Sequence, residues 1–130
     1  MASVEFTPDG VVVGLRRRSG RPICPCGWKG RGRYDSSRRR WRHLDLGASR
    51  LFLEAEIRRL HCRRCERVVT EVVPWAGPRA RHTRDFEDVV AWLAQRSDKT
   101  TISRLLRASW ETIAGIVTRV VAEQVDTRRL

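Results

Sequence analysis

Two cysteine pairs, Cys24-Pro25-Cys26 and Cys62-Arg63-Arg64-Cys65, constrain this 130-residue chain more than any other feature. Units of roughly 50–80 residues bury little apolar surface and commonly need a staple such as a metal or a disulfide. Met1 to Leu15 shows no basic-then-apolar signal pattern, and no apolar run is long enough to span a bilayer. The expectation is a reducing, cytoplasmic setting, where such cysteines are metal ligands rather than disulfides.

The gap of two residues between Cys62 and Cys65 lets two thiolates take adjacent corners of a zinc tetrahedron. The shorter gap between Cys24 and Cys26 needs a tighter knuckle, which Pro25 and a positive-φ Gly27 suit. Two knuckles joined by a strand-rich insert predict a four-cysteine zinc ribbon. In it, Cys24, Cys26, Cys62 and Cys65 hold a structural zinc, and metal binding becomes folding energy. His43 and His61 stand as substitutes for one thiolate, and a metal-free core of buried thiols is the bland alternative. A redox pair fits less well, because thioredoxin-type cysteines precede a helix and Glu66-Arg67-Val68-Val69 reads as strand.

Charge points to the partner. The chain carries 27 Lys+Arg against 15 Asp+Glu, a net +12. A GC-rich coding bias explains why only Lys29 and Lys99 are lysines. It does not explain the shortage of acids, so the surplus predicts a polyanion, nucleic acid first. The surplus is uneven. Residues 1–84 hold 20 basic and 8 acidic side chains, and residues 85–130 hold 7 of each.

Hydrophobic period changes in the same region, from two to about 3.6. Val4 to Phe6 and Val11 to Leu15 flank the turn Thr7-Pro8-Asp9-Gly10 and predict a hairpin. Arg40 to Leu46 and Arg50 to Leu60 flank Gly47-Ala48-Ser49; Leu51, Leu53, Ala55 and Ile57 form one face of the second. Arg67 to Val73 is β-branched. Beyond Pro74, Gly77 and Pro78 the pattern is helical: Thr83 as a cap to about Gln95, a short helix from Thr101 to Leu106, and a third from Ser109 to about Val125. The fold expected is α+β: a small strand-rich zinc-ribbon module over 1–76, a connector over 77–82, a three-helix helix-turn-helix module over 83–126 and a tail over 127–130.

Within the second module, Thr101 to Ile113 reads as helix, three-residue turn, helix, with Ser103 small at the crossing and Ser109 capping the reading helix. Arg107 stands where the turn usually takes glycine. Arg104, Arg107, Ser109, Trp110, Thr112, Thr118 and Arg119 are the expected DNA contacts of this module. A plain three-helix bundle gives the same periodicity. Because this half is neutral, a division of labour follows. Arg38, Arg39, Arg40 and Arg42, with Arg16 to Arg18 and Arg63-Arg64, neutralise phosphates while the third helix reads bases.

Several segments together resemble the N-terminal DNA-binding region of the ISL-three family of insertion-sequence transposases. They are Cys24-Pro25-Cys26-Gly27, Tyr34-Asp35, Arg40-Trp41-Arg42-His43-Leu44-Asp45-Leu46-Gly47, Val73-Pro74-Trp75-Ala76, Arg81-His82-Thr83-Arg84-Asp85-Phe86-Glu87 and Ser109-Trp110-Glu111-Thr112. The resemblance implies a zinc ribbon and a helix-turn-helix that bind double-stranded DNA at terminal inverted repeats, as a homodimer or beside a partner transposase. It also implies that an Asp-Asp-Glu catalytic domain follows in the full-length enzyme. No converging carboxylates are evident in this chain, so the expectation is a binder and not an enzyme, with no membrane or small-molecule partner. An interaction module of a nucleoprotein complex, without sequence specificity, is the competing class.

Overall fold

The computed structural model describes residues 3–17 and 20–129, with side chains through 123. Arg18 of the first arginine run, Met1 and Leu130 lie outside the described residues. The chain forms two compact units, Met1–Thr83 and Arg84–Leu130. The first is strand-rich and the second helical, an α+β chain.

The first unit is built on one five-stranded sheet. Strands β1 (Ser3–Thr7) and β2 (Gly10–Gly14) make the expected hairpin, with Thr7 paired to Gly10. Gly10 has φ +146°, and a Cβ there would sit 2.3 Å from the Arg50 carbonyl oxygen, so the turn excludes any side chain. β3 (Asp35–Leu46) and β4 (Ser49–Cys62) form a long antiparallel pair around Gly47. β4 is the central strand. Its first half pairs with β2 in parallel, Leu51 to Glu54 against Val11 to Gly14, and its last four residues pair with β5 (Arg67–Thr70).

Two strands have bounds different from the sequence reading. β3 begins at Asp35, well before Arg40, and takes in the arginine run. The run is strand because its registers set Arg38 opposite Glu56 and Arg40 opposite Glu54, opposite charges across the ladder. β5 ends at Thr70, short of Val73, where the chain leaves β4: the Glu71 amide still donates to the Arg58 carbonyl, but the Val72 amide donates to the Ile23 carbonyl.

Two apolar clusters hold this unit. Trp41, Ala55, Ile57, Ala76 and Ala80 form one, with Trp75 edge-on to Trp41 at 5.3 Å. Cys24, Leu60 and Cys62 form the other, with Trp28, Cys65 and Val69 packed against it. The alternation read on β4 is observed: Ala55 and Ile57 are buried while Glu54, Glu56 and Arg58 lie on the opposite face.

The second unit has three helices, α1 (Arg84–Ala94), α2 (Lys99–Leu106) and α3 (Trp110–Arg129). Phe86, Val90, Ile102, Leu106, Ile113, Ile116 and Val120 are its buried apolar residues. α2 starts earlier than expected because Asp98 caps it, its carboxylate accepting from the Thr101 amide at 2.7 Å. α3 continues to Arg129, beyond the expected stop at Val125. No helix among the described residues is long and apolar enough to cross a membrane.

Arg107 closes α2 with φ 53° and ψ 47°, a left-handed conformation in which its amide reaches the Ser103 carbonyl. A Cβ in that region carries a steric cost that glycine escapes. Arg107→Gly is therefore expected to stabilise the helical unit by about 0.5–1 kcal/mol, after the extra unfolded-state entropy of glycine is deducted. A rise of a few degrees in the thermal midpoint of the whole chain is the expected reading; a fall would show that the arginine side chain contributes more than its backbone costs.

Candidate metal centre and nucleic-acid interface

The zinc knuckles arise from local backbone geometry. In the first, the Gly27 amide donates to the Cys24 carbonyl at 2.8 Å and Gly27 takes φ +97°, the glycine turn expected after Cys26. The Cys24 amide donates to the Trp28 carbonyl, and Ile23 bridges Lys29, so the short loop is pinned at its neck. In the second, β4 ends on Cys62, a turn holds Arg63 to Glu66, and β5 returns. Glu66 completes that turn at φ 56°. The Cys65 amide points at the Cys62 sulfur at 3.3 Å, orienting it.

The four sulfurs converge. Cys24 Sγ lies 3.7 Å from Cys65 Sγ, Cys26 Sγ lies 3.6 Å from Cys62 Sγ, and all four fall within 4.8 Å of one another. Zinc–sulfur bonds of about 2.3 Å at tetrahedral angles require sulfurs about 3.8 Å apart, so the cluster has the dimensions of a zinc site with four thiolate ligands. Neither His43 nor His61 belongs to the cluster. His43 Nδ1 instead meets the Thr83 hydroxyl at 2.7 Å. The centre holds a structural zinc.

The thiols are electrostatically unequal. Burial pushes the Cys24 thiol above its ordinary value. The Trp28 backbone amide pulls Cys26 down to about 7. Hydrogen bonding to the neighbouring sulfurs, Cys26 first, pushes Cys65 up to about 12. A divalent cation supplies the positive charge that lets all four, Cys24 and Cys65 included, shed their protons together. Arg64 adds a donor to the Cys26 carbonyl at 3.1 Å.

The arginines expected to meet phosphates are placed differently from one another. Arg38 and Arg40 stand on the exposed face of β3, and both grip Glu54: Arg38 on Oε1 and Arg40 on Oε2, at 2.9 to 3.2 Å. The two guanidinium groups hold the Glu54 carboxyl below the usual carboxylate range, Arg38 contributing most. Arg39 points to the other face and is half-buried. Arg42 is only 8% exposed and pairs with Asp45 at 3.1 Å, so it is a framework residue of this unit. Arg16, Arg17, Arg63 and Arg64 are exposed, but Arg17 is tied to Glu71.

In the helical unit, Ser109 caps α3 as expected, accepting from the Thr112 amide at 3.1 Å while its hydroxyl meets that of Thr112 at 2.8 Å. Ser103 reaches across the turn to the Ala108 carbonyl. Arg104, Arg107, Ser109, Trp110 and Thr118 are exposed, and Thr112 is half-buried. Lys99 lies over the Trp110 ring at 4.8 Å, and the Thr118 hydroxyl bonds the Ala114 carbonyl. Arg119 is engaged. Its guanidinium lies 2.5 Å from Glu87 Oε1, whose carboxylate is 8% exposed. Burial pushes the Glu87 carboxyl upward against the opposing pull of Arg119. The sequence did not single out Glu87, which lies one turn before Val90 on the buried side of α1.

Sequence reasoning also missed a groove beside the first knuckle, lined by Trp28, Arg31, Arg33, Tyr34, His61 and Arg63. Its signal was present in the aromatic residues interleaved with arginines between Trp28 and Tyr34.

Comparison with known proteins agrees with this geometry. The model for the helix-turn-helix domain of transposase family ISL3 matches residues 71–121. The model for the zinc-finger of transposases IS204, IS1001, IS1096 and IS1165 matches residues 20–65. Proteins described as the transposase for insertion sequence element IS1557, from two strains of Mycobacterium tuberculosis, are 43% identical over 132 aligned residues. That alignment takes in 92% of this chain and 29% of theirs, so the chain spans under a third of the relatives it matches. No solved structure matches the chain.

Proposed function

We propose that this chain, which carries the zinc-ribbon and helix-turn-helix segments of the ISL3 transposase family, recognises the terminal inverted repeats of its insertion sequence in double-stranded DNA. One observation carries the reading. The Ser109-capped start of α3 presents an exposed row, Trp110, Glu111, Gly115 and Thr118, directly after a tight turn from α2. That is the part of a helix-turn-helix that enters the major groove, where N-terminal side chains meet base edges.

The pairing of Arg119 with Glu87 assigns that arginine to holding α3 on α1. Base reading then falls to Trp110, Glu111 and Thr112 with Gly115 and Thr118, and Arg104 and Arg107 flank them as phosphate contacts. Arg38, Arg39, Arg40 and Arg42 of the ribbon unit supply further positive charge. The two modules of this proposal are 1–76 and 83–126, with 77–82 as the connector.

Neither matched family model describes a catalytic domain. We therefore assign end recognition to these residues, and cutting and joining of strands to the Asp-Asp-Glu chemistry of the full-length transposase. Two inverted repeats per element offer places for two copies, or for one copy beside a partner transposase that it would regulate by occupancy.

Selection from a random duplex pool tests the reading. The zinc-loaded chain is expected to enrich one motif, and a zinc chelator is expected to abolish the enrichment. Retention of duplex without any motif would reduce the function to electrostatic adhesion and favour an interaction module.

A further inference from the structure

The groove beside the first knuckle is the feature that the duplex-reading function does not use. Its volume is about 370 Å³, and its walls are Trp28, Arg31, Gly32, Arg33, Tyr34, His61 and Arg63. Among the described residues, no acidic side chain lines it. Arg31 and Arg63 are exposed cations. Tyr34 is 63% exposed, so its ring is open to a ligand. Its position is nonetheless fixed. The Tyr34 amide donates to the Arg59 carbonyl at 2.7 Å, and the Arg59 guanidinium, held by Asp35, lies 5.4 Å from the ring centroid. Trp28 is anchored from below by the sulfur cluster it packs on.

We propose that this groove binds unpaired, single-stranded DNA, with a base stacked on Tyr34 and adjacent phosphates on Arg31 and Arg63. A fixed, exposed aromatic face among cations is the arrangement that holds single strands, because every base has a π-face. Bases inside a duplex are already stacked and offer only their edges, so duplex DNA leaves the ring without a partner. The inference shares with the reading above only the premise that the ligand is DNA, and its site is separate from α3. The zinc centre orders the groove through Trp28.

The test is fluorescence anisotropy of the zinc-loaded full chain with a labelled oligothymidylate and, separately, with a labelled duplex. Tyr34→Ala is expected to weaken oligothymidylate binding about tenfold, and to change duplex binding by less than about twofold. Tyr34→Phe is expected to restore it, since stacking needs the ring and not the hydroxyl. The double variant Arg31→Ala/Arg63→Ala is expected to weaken it and to flatten its salt dependence by about 0.7 per lost phosphate contact. Zinc content of each variant controls for folding. Unchanged oligothymidylate binding in Tyr34→Ala would overturn the proposal, as would failure of Tyr34→Phe to rescue it. Displacement of the oligonucleotide by polyglutamate as readily as by unlabelled strand would also overturn it, showing a merely cationic surface. Loss of duplex selectivity with these outcomes intact would count against the α3 reading alone.

Discussion

Cys62→Ser is expected to abolish zinc binding and to unfold the ribbon end of the first unit. Cys62 is wholly buried and supplies a sulfur to the cluster, and it ends the strand on which the second knuckle is built. The cluster of Cys24, Leu60 and Cys62, with Trp28 and Val69 against it, is too small to hold the segment from Pro22 to Tyr34 without the metal. Structural zinc contributes about 10–16 kcal/mol in small zinc-finger peptides, more than a unit of this size can replace from packing. Serine leaves a hydroxyl with little affinity for zinc and a buried polar group. Amide exchange would show protection lost over residues 20–34 and 60–70 and kept in α1 to α3, because the helical unit has its own core. Retained zinc at one ion per chain in Cys62→Ser would exclude the four-sulfur site. The same loss is expected on acidification of the wild type, since each sulfur must shed its proton to bind and protons compete as pH falls.

Glu71→Ala is expected to destabilise the first unit by about 3–5 kcal/mol, the usual result of removing one partner from a buried charge cluster. The Glu71 side chain is 5% exposed and holds Arg58 through its backbone amide at 2.6 Å and its guanidinium at 2.9 and 3.2 Å. Arg17 shares Oε1 with the Arg58 guanidinium, donating to it at 2.8 Å. Alanine leaves the Arg58 amide without this acceptor and two guanidinium groups without their counter-charge. For a domain whose whole stability is about 5–15 kcal/mol, that is a large share. Urea denaturation followed by tryptophan fluorescence reads it, because Trp41 and Trp75 lie in the apolar cluster of the same unit. A midpoint within experimental error of wild type would show that the charges contribute nothing net there. Glu71→Gln, which preserves shape and an acceptor, is expected to lose less.

These residues show which parts of the molecule a sequence exposes. The zinc ligands were legible because each pair is local and its spacing is set by the metal. The second unit was legible because Phe86, Val90, Ile113, Ile116 and Val120 recur at helical steps and Ser109 marks a start. The arginine run of β3 was not, since its strand character comes from Glu54 and Glu56 on another strand. The parallel pairing of β2 with β4 was equally hidden, because the knuckle and all of β3 intervene in the chain. Glu71 with Arg58, and the buried Glu87 with the exposed Arg119, are pairs whose partners no local pattern joins. At the candidate interface, Arg42 and Arg119 were chosen for their chemistry, and each also has an acidic partner within its own unit, Asp45 and Glu87.

The proposal that a zinc-organised helix-turn-helix reads a specific duplex rests on the affinity of the zinc-loaded chain for the terminal inverted repeat of its own insertion sequence, measured against a scrambled duplex of equal composition across a range of salt. The repeat is expected to bind at least about 10³-fold more tightly, while both affinities fall steeply with salt. Equal affinities for the two duplexes at every salt concentration would contradict the claim.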